Sequence, residues 1–171
     1  MSEVILEELK QQSVHLLDAS ITKIQHCLSQ LDEQQVWFRP EQSMNSIGNL
    51  LLHQSGNLRQ WVVCGVGGEL DERDRPAEFS ADHSMVKHDL LSRVQETVEN
   101  AKRVIGSVAP DAAMKVLQIQ GFSVTALGAI MHSVPHFVGH SHQVIYLTRL
   151  QLGKDYQFAW TPDSDRTGVP I

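Results

Sequence analysis

The chain has 171 residues, 42% of them hydrophobic and 20% charged, which suffices for one domain with a packed core and no disulfide staples. Its formal net charge of -6 and the lack of any Lys/Arg cluster exclude the basic stripe of a nucleic-acid binder. Cys27 and Cys64 stand far apart without CxxC spacing, which suits packing in a reducing compartment.

The opening MSEVILEELK carries acidic residues where a secretory signal carries basic ones, so export is not implied and a soluble, cytoplasmic protein is expected. A first helix is predicted from about Glu3 to Leu31, with Ile5, Leu9, Leu16, Leu17, Ile24, Leu28 and Leu31 at helical spacing. LDEQQVWFRPEQSM interrupts it, and Pro40 marks a loop. Asn45 or Ser46 caps a second helix, from about Ile47 to Cys64. GVGGELDERDRPAEFS reads as an irregular connection. A third helix follows from about Ser84 to Val104, charged on one face and closed at Gly106. VAPDAAMKVLQIQGF reads as partly extended, and Ser123 or Thr125 opens a fourth helix that runs to about Leu152. In the tail, 153–171, Tyr156, Phe158 and Trp160 offer apolar anchors to the surface.

Four long helices without a convincing alternating strand predict an all-α four-helix bundle, a single domain over residues 1–171. The long connections at 65–80 and 107–122 point away from a plain up-down-up-down path. No Asp, Glu, Lys or Arg falls between Lys115 and Arg149, a run long enough to span a bilayer. It nevertheless holds four His, three Gln, three Ser, two Thr and Pro135, so a buried central helix or an oligomer interface is expected, not a membrane span.

Within that run, HSVPHFVGHSHQVIY sets His132, His136 and His140 at successive intervals of four. On a helix they lie near roughly 0°, 40° and 80°, one stripe of imidazoles. Two histidines a turn apart can grip one divalent cation. Leu127, Ile130, Val134 and Phe137 cover the opposite face, so this helix is expected to be central and Pro135 to kink it. His142 lies roughly 80° or more from every member of the stripe and falls outside it.

A further ligand has to come from elsewhere. On the second helix Asn49, His53, Gly56, Asn57 and Gln60 form a polar stripe, opposite Ile47, Leu50, Leu51, Leu58 and Trp61. On such a half-exposed helix His53 is either solvated or lines an aqueous cleft, and the pattern leaves both open. His83 and His88, beside Asp82 and Asp89, read as solvated, and His15 and His26 as an incidental pair. Gln143 and Asn57, each about a turn beyond a histidine, are candidates to orient a ligand or a bound water. His132 is a candidate for supporting a ligand, for touching substrate, or for a satisfied core histidine. No HExxH motif, phosphate loop or carboxylate pair is present, and the catalytic base is not identified.

The lone His53, the pair His136 and His140, Gln143 and the ending VIYLTRL together resemble the DinB/YfiT-like superfamily of bacterial metal-binding four-helix bundles. NSIGNLLLH, GNLRQW and RDRPAEF resemble an uncharacterised DinB-like subgroup, so the similarity covers residues from about 1 to 160. The resemblance implies a divalent metal, usually zinc or nickel, held by His53, His136 and His140, and frequent homodimers. Some relatives are transferases or isomerases that use low-molecular-weight thiols such as bacillithiol or mycothiol. This chain departs from many members at His142, where a Gly precedes the Gln.

Three neutral imidazoles leave a zinc-like ion its full charge and at least one open position, for a water with a pKa of about 7 or for a thiol. Two functions are therefore expected in competition. One is a metal-dependent enzyme, an S-transferase acting with a small thiol in stress or detoxification, or a hydrolase. The other is a non-catalytic metal-binding module that stabilises a dimeric bundle.

Overall fold

Leu6, Leu17, Ile24, Cys27 and Leu28 recur on one side of α1 (Glu3–Ser29) and are buried, as helical periodicity requires. The computed structural model describes residues 3–159. Where a loop is expected, a one-turn helix α2 (Glu33–Trp37) forms on a reciprocal capping box between Asp32 and Gln35. It buries Trp37, whose Nε1 donates to the Met85 carbonyl at 3.0 Å. Ser46, one of the two expected caps, opens α3 (Ile47–Leu58) with a second capping box to Asn49. The predicted continuation to Cys64 is helical but not α-helical: a π-helical segment, Arg59–Val66, carries on from α3.

The 65–80 connection is also more ordered than its composition suggests. Asp74 accepts from the Ala77 N–H and Pro76 occupies the first turn of α4 (Arg75–Ser80), where its missing N–H leaves no intrahelical bond unmade. Helix α5 (Lys87–Ser107) starts later than expected and passes through Gly106. The partly extended segment is a hairpin of β1 (Val116–Ile119) and β2 (Phe122–Thr125), a two-stranded sheet too short to show a clear alternating pattern. Ile119 faces Phe122, and the two intervening residues, Gln120 and Gly121, have φ of 52° and 81°. Positive φ at both positions is the hairpin pattern that glycine favours. Thr125 then caps α6 (Ala126–Leu152), which is continuous through Pro135.

Both α1 and α3 pack on α5 and α6, so α1 and α3 stand at opposite corners of the bundle. The path is not an up-down meander, as the long connections suggest, and the fold is all-α but for the hairpin. Burial differs from the expected pattern. Every residue of α3, expected half-exposed, is buried, whereas α6, expected to be a buried central helix or an oligomer interface, packs on α1 and α3 but leaves His132, Pro135, Gly139, His142 and Tyr146 exposed within the chain. The polar stripe of α3 is covered by residues 67–86, a strap laid across it.

The first residues of the tail contact the bundle. The Gln157 N–H donates to Gln30 Oε1 at 2.7 Å, and the Arg149 guanidinium lies 5.1 Å from the Phe158 ring centroid. Trp160 lies outside the described residues. No helix among the described residues is long and apolar enough to cross a membrane.

Ser46 is fully buried, and its Oγ both accepts from the Asn49 N–H and donates to Asn49 Oδ1. Ser46→Ala is expected to lower stability by about 1–2 kcal/mol, read as a lower urea midpoint at unchanged slope. A variant as stable as the parent would show that the cap is dispensable.

Candidate metal centre

Packing of α3 against α6 brings the candidate ligands together. His53 and His136 approach Nε2 to Nε2 at 3.3 Å, and His136 and His140 at 3.2 Å. Ligand atoms of all three lie within 4.8 Å of one another. Zn–N bonds of about 2.0–2.1 Å in a tetrahedron separate neighbouring nitrogens by roughly 3.3 Å. The two close separations match that value.

Proton bookkeeping excludes a closed hydrogen-bond cluster. His53 Nδ1 lies 3.0 Å from Glu78 Oε2, and an ionised carboxylate only accepts, so this nitrogen carries the proton and Nε2 presents a lone pair. Arg73 Nη2 also comes within 3.2 Å of Nδ1, but its nearer acceptor is Glu78 Oε2 at 2.8 Å. The two donors share one carboxylate oxygen. His140 Nδ1 donates to Gln143 Oε1 at 2.7 Å, which turns the His140 Nε2 lone pair inward as well. His136 Nε2 faces both lone pairs and can donate to only one of them as a neutral ring. A cation satisfies all three.

The electrostatics favour neutral, ligand-ready rings. Burial, then the charges of His140, His53 and His132, hold His136 down to about 4. Burial also lowers His140, opposed by its hydrogen bond to Gln143 and aided by His53. Burial alone would raise the Glu78 carboxyl, yet hydrogen bonds from Arg73 and His53 and the Arg73 charge hold it below its ordinary value.

Gln143 thus sits on a candidate ligand. Among the described residues, Asn57 has no hydrogen bond to these histidines; it accepts from Ser133 Oγ at 2.9 Å and ties α3 to α6. His132 does not join the cluster. Its ring centroid is 4.1 Å from that of Trp61 and 6.1 Å from that of His136, so the pair forms an aromatic shoulder beside the centre. Phe79 flanks His53 on its own side at 4.8 Å. His83 and His88 are exposed beside Asp82 and Asp89, as read from the sequence.

The sequence reading missed Glu78 and Arg73. Glu78 is buried and Arg73 clamps it, with Nε on Oε1 at 2.6 Å and Nη2 on Oε2 at 2.8 Å. The Asp-Arg-Pro start of α4 was the available signal for a helix in that connection. On the other side of the clamp, Gly56, Gln60, Arg73, Glu78 and Arg93 line a cavity of about 530 Å³ that none of the three histidines lines.

A pH dependence follows for the metal-free protein. The unfolded His136 titrates near 6.5 and the folded one at about 4, so between these values the unfolded chain binds more protons. Stability is expected to be full above pH 6.5 and to decline as the pH falls toward 4. Because Glu78 is held below 4.5, it stays ionised at pH 5. Equal urea midpoints at pH 7 and pH 5 would contradict this assignment.

Fold and site together define a class: a helical bundle with a three-histidine cluster compatible with a divalent metal. Among solved structures, a conserved protein from Enterococcus faecalis is similar at TM-score 0.72 and 18% identity, covering 84% of this chain and 97% of that one. A DinB-like protein, YjoA, from Bacillus subtilis is similar at TM-score 0.64 and 12% identity, covering 86% and 96%. No curated protein matches the chain. Residues 5–164 match the family model described as protein of unknown function (DUF1572), and the chain belongs to that family.

Proposed function

We propose that this protein is a metal-dependent enzyme in which His53, His136 and His140 hold one zinc or nickel ion, and that it transfers a low-molecular-weight thiol to an electrophile. The observation that carries the reading is the convergence of His53 Nε2 and His140 Nε2 lone pairs on His136 Nε2, with both outer rings fixed from behind by Glu78 and Gln143. The ligands are neutral and come from two helices, so a bound ion keeps its charge and an open position, unlike a closed structural site. Once bound, the ion supplies Lewis acidity that lowers the pKa of a thiol or water.

The chain's own residues do the rest. Glu78 and Gln143 keep two rings in the Nε2-ligating tautomer, and burial keeps His136 unprotonated at neutral pH. His132, exposed and backed by the buried Trp61 ring, supplies an aromatic face against which a substrate can lie beside the centre. In the transfer, the thiol gives up its proton to solvent, its sulfur bonds to the electrophilic carbon, and the leaving group departs with the bonding pair.

The test is a titration of zinc-loaded protein with a small thiol such as cysteine or its glucosamine conjugates, in weak buffer. Proton release near one equivalent in the parent and none in His136→Ala is expected, followed by S-alkylation of the thiol in the presence of an electrophile. Stoichiometric zinc without proton release or transfer would favour the non-catalytic module.

A further inference from the structure

We propose that Glu78, clamped by Arg73, is the positioning residue of this centre and that it links docking of the strap, residues 67–86, to metal occupancy. The inference rests on reading the three histidines as a metal centre.

The strap combines apolar contacts of Phe79, Ala81 and Met85 with a row of polar contacts to α3. In α4 the buried residue is Glu78, while Arg75, Pro76, Ala77 and Ser80 are exposed. A carboxylate is a poor anchor for a six-residue helix unless a fixed partner awaits it. Three members of the polar stripe, on α3 and its π-helical continuation, take hold of the strap, while Asn57 turns to α6. Asn49 Nδ2 donates to the carbonyls of Glu78 and Ala81, both at 2.9 Å, and Gln60 Nε2 donates to Asp71 Oδ2 at 2.6 Å. His53 meets the carboxylate itself.

Gly56, on the same stripe, leaves room for the clamp. A Cβ there would fall 2.0 Å from Glu78 Oε1 and 2.9 Å from Arg73 Nε. The stripe that the sequence leaves as either solvated or cleft-lining is therefore the strap's docking strip, and one of its members is a candidate metal ligand.

Chemistry couples the two events. A cation on His53 Nε2 draws electron density through the ring and makes Nδ1–H a stronger donor to Glu78. The fixed anion in return holds the ring's orientation and raises its basicity toward the metal. Linkage is reciprocal: whatever metal does for the strap, a docked strap does for metal.

The test uses the full chain and zinc. Affinity is read by competition with a chromophoric chelator, and strap docking by amide hydrogen exchange with and without saturating zinc. Glu78→Gln is expected to weaken zinc roughly 10- to 100-fold. Gly56→Ala, which keeps the carboxylate but displaces it, is expected to weaken zinc in the same direction. Zinc should slow exchange at residues 73–80 in the parent and much less in Glu78→Gln. The parent comparison requires no variant to fold.

Parent-like affinity in both variants, or strap exchange that zinc leaves unchanged, overturns the inference while the metal centre stands. A parent that takes up no zinc, or a His136→Ala variant that takes up as much, overturns the metal-centre reading and this inference with it.

Discussion

Replacing His136 by Ala is expected to reduce bound zinc from about one ion per chain to background, the larger functional effect of any single ligand. His136 is the shared member of the cluster, 3.3 Å from one neighbouring Nε2 and 3.2 Å from the other. Its loss leaves His53 and His140 without the ring that stands between them. The fold should survive. His136 is half-buried, its Nδ1 is buried with no hydrogen-bond partner among the described residues, and its protonation is disfavoured, so metal-free protein loses little when the ring goes. The contrast therefore appears only on adding metal. Zinc at a thousandfold above its Kd adds about 4 kcal/mol to the native state, or roughly 8–16 °C in Tm for a chain of this size. The parent should show that shift and His136→Ala should not. Equal shifts in both would place the ion elsewhere and dissolve the three-histidine assignment.

What the sequence disclosed and what it hid divide by range of interaction. The His136–His140 spacing is local, and so are the Ser46 and Thr125 caps and the apolar rows of α1; all could be read along the chain. Helices α2 and α4 are local too. Their Asp32–Gln35 box and Asp74-Arg75-Pro76 start were outweighed by neighbouring Pro, Gly and charge, because a one-turn helix offers almost no periodicity. The burial of α3 could not be read in this way. Periodicity tells which residues share a face, as it did for Asn49, His53, Gly56 and Gln60, but not what covers that face. A strap that contributes Arg73 and Glu78 turns an apparently solvated stripe into a buried polar seam. The same blindness made α6 look central. Its apolar and small residues go all round, yet the side with Pro135, Gly139 and Tyr146 meets no other helix among the described residues and stays exposed. The placement of His53 beside His136 depends on α3–α6 packing, which spacing within either helix does not encode.

Arg73→Met is expected to be the most destabilising change at the site, because it strands a buried carboxylate. The two side chains are 5% and 8% exposed, and Arg73 supplies both of the short N–H···O bonds that satisfy Glu78 from within the strap. Removing one member of such a pair costs roughly 3–5 kcal/mol, whereas neutralising both removes the stranded charge. The double variant Arg73→Met/Glu78→Gln should therefore be more stable than Arg73→Met alone, a sign that simple loss of packing cannot produce. The pH dependence gives a second signature. Without Arg73, burial of the Glu78 carboxyl is opposed by His53 alone, so its folded pKa rises and the folded state gains a proton that the unfolded chain releases. The stability gap between parent and Arg73→Met, measured metal-free, should then narrow as the pH falls from 7 toward 5, and loss of the Arg73 charge that helps hold His136 down works in the same direction. If the strap lifts before the bundle melts, the loss is limited to the strap's docking energy. Exchange then quickens at residues 73–80 while the amides of α1 and α5 keep their protection. A variant with parent stability and parent exchange would mean that the Arg73–Glu78 pair is solvated and that the strap does not sit on α3 as described.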